Sequence, residues 1–168
     1  MNGVKNLLLS NCGCLNMRII QAVETDLGEI LDLKHQSYQS EAEIYNDYAI
    51  QPLVQTLPEL IEEYSNQLIL KAVLDHRIVG SVRAYEVNGT CMVGKLIVHE
   101  DYQNKGIGTK LMNVVEESFS HCRRFELFTG HKSERNLYLY NKLGYRTFKS
   151  LVVDENLTLI YLEKYKGG

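Results

Sequence analysis

The sequence predicts a mixed α/β domain: a mostly antiparallel central sheet of about seven strands, with helices on both faces. Three observations lead there. The chain has 168 residues, 45% of them hydrophobic and 23% charged, which suits one domain with a real core and hardly two. Strand-like and helix-like runs follow the order β-α-α-β-β-β-α-β-α-β-β. Three antiparallel strands in the middle, followed by strand–helix–strand–helix, give a mixed sheet covered on both sides.

Residues 1–16 are expected to be a poorly ordered extension, and 17–168 a single domain. Lys5 and Leu7-Leu8-Leu9 are faintly like a signal peptide, but the apolar core is too short and Asn11 interrupts it. The first strand covers 17–23. Thr25 and Asp26 then suit a helix entry, one as cap and one in the first turn. Ile30, Leu31, Leu33 and Lys34 continue the helical pattern to about Tyr38. Ser40 to Thr56 is mixed and rich in tyrosine and acid. Pro58 starts a second helix, Glu59 to Ser65.

Strands follow at 68–74, 78–87 and 91–98. Asp75-His76-Arg77 and Asn88-Gly89 are turns, and Asn-Gly between two strands is a strong hairpin signal. Over 106–120, Ile107, Leu111, Met112, Val114, Val115 and Phe119 share one helical face. Residues 125–129 read as a strand and 133–143 as a helix stopped by Gly144. The last strands are 145–149 and 157–163.

A net charge of −3 offers no broad attraction to nucleic acid. No apolar run approaches the roughly 20 residues of a membrane span, so no membrane partner is expected. Cys12 and Cys14, one residue apart, have no nearby histidine or second cysteine pair to complete a zinc set. With Cys91 and Cys122 they read as reduced thiols of a cytoplasmic protein, and no metal is expected.

The chemistry concentrates in Gln103-Asn104-Lys105-Gly106-Ile107-Gly108-Thr109, between the strand run Leu96-Ile97-Val98 and a helix. Two close glycines at a strand-to-helix junction leave backbone N–H groups uncovered. The partial positive charge of the helix N-terminus suits a phosphate or pyrophosphate, and Lys105 adds a full charge. A dinucleotide-binding loop needs a third glycine, where Lys110 and Leu111 stand instead. A P-loop needs Gly-Lys-Ser/Thr, where Gly108-Thr109-Lys110 has the wrong order.

Strand, Gln103-x-x-Gly106-x-Gly108 and amphipathic helix together resemble the acyl-CoA signature of the GNAT superfamily of N-acetyltransferases. Asn136-Leu137-Tyr138-Leu139-Tyr140-Asn141-Lys142-Leu143-Gly144-Tyr145 is similar to that family's second segment, an aromatic helix ending in Leu-Gly-Tyr. The resemblance covers about residues 17 to 164. It implies acetyl-CoA as co-substrate, held between two parallel strands splayed by a β-bulge, here those ending near Val98 and Thr129. Leu96, Ile97 and Val98 would offer main-chain groups to the pantetheine. Gln103 to Thr109, with Ile107, would form the pyrophosphate turn, where a Cβ on Gly106 or Gly108 would obstruct close approach.

The implied reaction is direct attack of a primary amine on the thioester in a ternary complex. Tyr140 stands at the family's usual general-acid position, where a phenol protonates the leaving thiolate. Asn136 shares its helix face, and Ser133 replaces the asparagine that many relatives carry seven residues before the tyrosine. Either hydroxyl or amide can hydrogen-bond the cofactor, and Ser133 can equally be the helix N-cap. Tyr138, two residues from Tyr140, falls on a different helix face and reads as structural or substrate-facing, not as the acid.

No general base is readable: Glu86, Glu126 and His99 are placed suitably but suit the surface as well. The acceptor pocket is expected from residues 36–56, where Tyr38, Glu41, Glu43, Tyr45, Asp47 and Tyr48 would favour a cationic small-molecule amine. The alternative is a solvated helix face. A homodimer is compatible with the sequence, as is a non-catalytic acyl-CoA-binding module on the same fold, although binding alone has no need of Tyr140.

Overall fold

The computed structural model describes residues 16–167. The expected extension therefore lies outside the described residues except for Asn16, as do Cys12 and Cys14. Seven strands form one sheet: β1 (Arg18–Gln21), β2 (Leu68–Leu74), β3 (Arg77–Val87), β4 (Thr90–Val98), β5 (Arg124–Gly130), β6 (Arg146–Val152) and β7 (Thr158–Tyr165). Their spatial order is β1-β2-β3-β4-β5-β7-β6, and only β4 and β5 run parallel. The helices are α1 (Leu27–Tyr45), α2 (Gln51–Val54), α3 (Leu57–Tyr64), α4 (Ile107–Ser118) and α5 (Glu134–Lys142). The mixed, mostly antiparallel architecture is the one the element order predicts.

Alternation along β2 shows how the sheet is covered. Leu70, Ala72 and Leu74 join a core with Ile107, Leu111, Met112 and Val115 of α4. Ile69 and Val73 face the other way, onto Leu27, Ile30 and Leu31 of α1 and Leu60 of α3. The Asn88-Gly89 turn has φ of +50° and +80°, as a two-residue hairpin requires. Asp75 and His76 adopt the same left-handed pair.

α1 runs two turns beyond the end expected at Tyr38. Ala42 and Tyr45 are its buried anchors there, and Asn46 closes it in the left-handed region. α3 starts at Leu57, with the Glu59 carboxylate accepting the Thr56 N–H at 2.7 Å. Asp26 accepts the Val23 N–H at 2.7 Å, so it closes a 3₁₀ turn at Glu24–Asp26 just before α1.

Two irregularities open the middle of the sheet. Opposite Ser81 to Arg83 of β3, β4 uses one extra residue, from Gly94 to Ile97. This is a β-bulge, and Lys95 within it has φ of +52°. On its other side β4 pairs with β5 only over Thr90–Met92, opposite Arg124–Glu126. β5 continues to Gly130 against β7. Beyond Met92 the two parallel strands therefore diverge, as the bulged-strand expectation had it.

Candidate active site

A cavity of about 720 Å³ occupies the divergence. Its wall includes Leu96, Ile97 and Val98 from β4, then Gln103, Asn104, Gly106, Ile107, Gly108 and Thr109 from the turn and first helical residues. Ser133 and Asn136 of the α5 start line the opposite side, and Ser37, Tyr38, Ser40, Glu41 and Ile44 of α1 close a third. The two sequence motifs are thus brought to one space.

The turn is built for exposed N–H groups. Asn104 has φ of +61° and Gly106, which caps α4, has φ of +80°. Alternating hands of backbone direct successive N–H groups to one side and make an anion-binding concavity. A Cβ added at Gly106 meets nothing within 4 Å, so the glycine answers to the left-handed backbone rather than to crowding within the protein. At Gly108 an added Cβ would stand 3.2 Å from Leu139 Cδ2. The Gln103 amide donates to the Val98 carbonyl at 3.0 Å and ties the turn to the strand end. Lys105 lies outside the wall, with its ammonium 5.5 Å from the Tyr102 ring centroid.

The α5 side is polar and interlocked. Ser133 stands at the N-cap of α5 but makes no side-chain capping bond: its hydroxyl donates to Glu41, 2.7 and 2.9 Å from the two carboxylate oxygens. The Tyr45 hydroxyl accepts the Lys132 N–H at 2.8 Å. Asn136 donates to the Thr129 hydroxyl at 3.4 Å. Glu41 has no ion-pair partner among the described residues, which leaves its negative charge facing the cavity.

Tyr140 is buried behind this wall, 6% exposed, with its ring 6.1 Å from that of Tyr145. Tyr145 donates to Glu116 at 3.1 Å. The Tyr140 hydroxyl has no hydrogen-bond partner among the described residues. Burial, then Tyr38 and Glu41, push its pKa well above the ordinary phenol range. Tyr38 is pushed up to about 12 by burial and Glu41. Tyr140 thus keeps its proton at neutral pH and beyond.

The other expectations divide. Of the acidic and aromatic residues between 38 and 48, Tyr38 and Glu41 line the cavity, whereas Tyr45 is buried behind Ser133. Glu86 pairs with His121 at 2.7 Å, Glu126 with Arg124 at 2.5 Å, and His99 Nδ1 accepts the Asp101 N–H; none lines the cavity. Glu86, His121 and Cys122 place three metal-type donors within 4.8 Å of one another. Burial and Glu86 raise the Cys122 pKa.

Sequence reasoning passed over the cations of the rim, Lys132, Arg135 and Lys142, while Tyr138 lines the cavity with an exposed ring, which fits the substrate-facing alternative. The signal available was two basic residues just before the second motif and one within it.

A sheet parted between two parallel strands, ending in an N–H-rich turn at a helix start, defines the acyl-CoA-dependent N-acyltransferase class of fold. A model of the acetyltransferase (GNAT) family matches residues 27–145, and the chain belongs to that family. Among solved structures, the PaiA N-acetyltransferase of Thermoplasma acidophilum in complex with coenzyme A superposes with a TM-score of 0.78. It is 18% identical, over 89% of this chain and 98% of that one. YncA of Salmonella typhimurium, a putative acetyltransferase solved with acetyl-CoA, gives 0.70 at 15% identity over 89% and 93%. The ribosomal-protein-alanine N-acetyltransferase of Brucella melitensis gives 0.70 at 17% identity over 88% and 98%. No curated protein matches significantly. Among the described residues no helix is long and apolar enough to cross a membrane.

Proposed function

We propose that this acetyltransferase moves the acetyl group of acetyl-CoA to the primary amine of a small molecule, in a ternary complex, with Tyr140 as general acid. The observation that carries the reading is the cavity. One wall is a strand edge with free main-chain groups, one end is a turn of left-handed residues, and the far side is the Glu41 carboxylate.

The residues present fit the cofactor. A left-handed turn with no Cβ at Gly106 leaves the N–H concavity open for a pyrophosphate. Leu96 to Val98 supply strand-like donors and acceptors for amides. Acetyl-CoA, when bound, supplies an activated acyl carbon and a thiolate leaving group.

The chain's own groups then do three things. Glu41 draws the ammonium form of the acceptor. A main-chain N–H at the β4 edge holds negative charge as it grows on the carbonyl oxygen. Tyr140 donates its proton to the departing sulfur. The ammonium first releases one proton to solvent so that the neutral amine attacks. The nitrogen–carbon bond forms, the carbon–sulfur bond breaks with its electron pair on sulfur, and the second proton lost from nitrogen replaces the one lost by Tyr140. Two buried free thiols, Cys91 and Cys122, suit a reducing cytoplasmic setting.

The test is release of free coenzyme A from acetyl-CoA across a panel of primary amines, with the acetylated amine identified by mass. A protein that binds acetyl-CoA but transfers to none of them is the non-catalytic module instead.

A further inference from the structure

Between α1 and the sheet, next to the cavity, lies a buried polar layer with more cations than anions. Lys34 is fully buried and Arg83 is 4% exposed. The Gln55 carbonyl oxygen accepts from the Lys34 ammonium and, at 3.1 Å, from Arg83. Arg83 also pairs with Glu63. Glu63, with the more distant Glu59, supplies the negative charge that acts on Lys34.

Lys95 is the third cation. The β4 bulge carries it in a left-handed conformation, one residue before the cavity wall at Leu96. Its ammonium stands 5.9 Å from the ring centroid of Tyr38, which lines the cavity. Among the described residues it has no carboxylate partner and no hydrogen bond, yet it is not sealed from solvent. Burial, then Arg83, lowers its pKa to about 8. A second donor in the layer is also unanswered: the Gln55 side-chain N–H₂ is sealed in without an acceptor. A sealed donor without an acceptor, beside a half-buried ammonium without an anion, calls for an acceptor from outside.

α1 gives this excess a direction. Lys34, Tyr38, Glu41 and Tyr45 fall at helical spacing along one face. Lys34 and Glu41 are about 10 Å apart by helical rise. The cationic end reaches Lys95 and Arg83; the anionic end reaches Ser133 and the cavity.

We propose that the acceptor is an amino acid, bearing a carboxylate as well as its amine, and that Lys95 binds that carboxylate beside Tyr38 while Glu41 faces the amine. This rests on the acetyl-transfer reading of the same cavity and names its substrate class. Lys95 is then a specificity residue, since a plain amine would leave its ammonium with the Tyr38 ring and no anion.

The experiment compares acceptors matched except for the carboxylate: L-alanine with ethylamine, and 5-aminopentanoate with 1-aminopentane. In the wild type the acid of at least one pair should have the higher kcat/KM, by about 10–100-fold, the usual range for a charge-assisted contact. Lys95→Met should bring that ratio near one, with the KM of the acid rising far more than that of the plain amine. Methionine adds no backbone strain that lysine lacks, and Lys95→Arg should restore the preference. Plain amines that equal or surpass the acids, or a preference that persists in Lys95→Met, would overturn the proposal and leave acetyl transfer standing. Should no compound release coenzyme A, the acetyl-transfer reading fails. Calorimetric titration of coenzyme A-loaded protein with 5-aminopentanoate then decides the anion site: binding lost in Lys95→Met sustains it, and no binding to the wild type ends it.

Discussion

Removing the Tyr140 hydroxyl separates chemistry from architecture unusually well. Its ring packs against Tyr145, but the hydroxyl has no partner among the described residues. Tyr140→Phe therefore strands no donor or acceptor, and its effect on stability should stay within about 0.5 kcal/mol. The cost to catalysis should be of another order. A general acid contributes about 10²–10⁴-fold, or about 3–5 kcal/mol of barrier. The assay is coenzyme A release in single-turnover mixing, so that product release cannot mask the chemical step. Calorimetry with acetyl-CoA and a thermal melt should both be unchanged. The pH profile adds a second check. A phenol pKa held above its ordinary range keeps the acid protonated, so the wild-type rate should rise as the amine deprotonates and show no descending limb below about pH 10. Full single-turnover rate in the phenylalanine variant, or a melting point lowered by many degrees, would refute the reasoning.

Gly106→Ala should destabilise by about 1–2 kcal/mol, because its φ of +80° penalises any Cβ, and should weaken acetyl-CoA binding about 10–100-fold; an unchanged melt and affinity would show the turn to be unimportant. Lys34 is held at a pKa of about 7 by burial, Arg83 and Lys95. Since the unfolded chain binds a proton there that the folded one releases, stability from this group rises with pH between about 7 and 10.5. Lys34→Met should melt higher than the wild type at pH 6.5 by about 1 kcal/mol, with the gap closing by pH 9; a gap independent of pH counts against the buried charge. Every residue of β6 is exposed, with Phe148, Leu151 and Val152 on this outer strand. A second copy is the expected cover, so sedimentation should find a dimer that Val152→Lys dissociates, and a monomer at all concentrations would exclude it.

Much of the fold was legible because period and punctuation agreed. β2, β3 and β4 lie within one residue of their sequence expectations, since each is a dense run of strand-forming residues and the turns at Asp75–His76 and Asn88–Gly89 separate them. The end of α1 was hidden because residues 39–44 are mostly polar, leaving Ala42 and Tyr45 as widely spaced anchors. β6 runs to Val152 rather than Lys149, and a strand exposed throughout prints no alternation. In the site, residues near each other in sequence were readable: Gly106, Gly108 and the Leu96–Val98 edge. The layer of Lys34, Gln55, Glu63, Arg83 and Lys95 was not, because four elements and the link after α2 contribute one residue each and only packing gathers them.

The short pairing of β4 with β5 has a consequence for how the protein behaves in storage and in a cell. An ordinary open sheet has two edges; this one has two more in its interior, where Val93–Val98 and Leu127–Gly130 face each other unpaired. Unpaired edges template joining between chains. On the proposed function, acetyl-CoA lies in that seam and covers both at once. At a concentration 100 times its dissociation constant it would add about 2.7 kcal/mol to stability. That is about 5–11 °C of melting temperature for a chain of this size. The supply of the co-substrate would thus govern how long the protein lasts as well as how fast it works, and starvation for it would be felt first as aggregation.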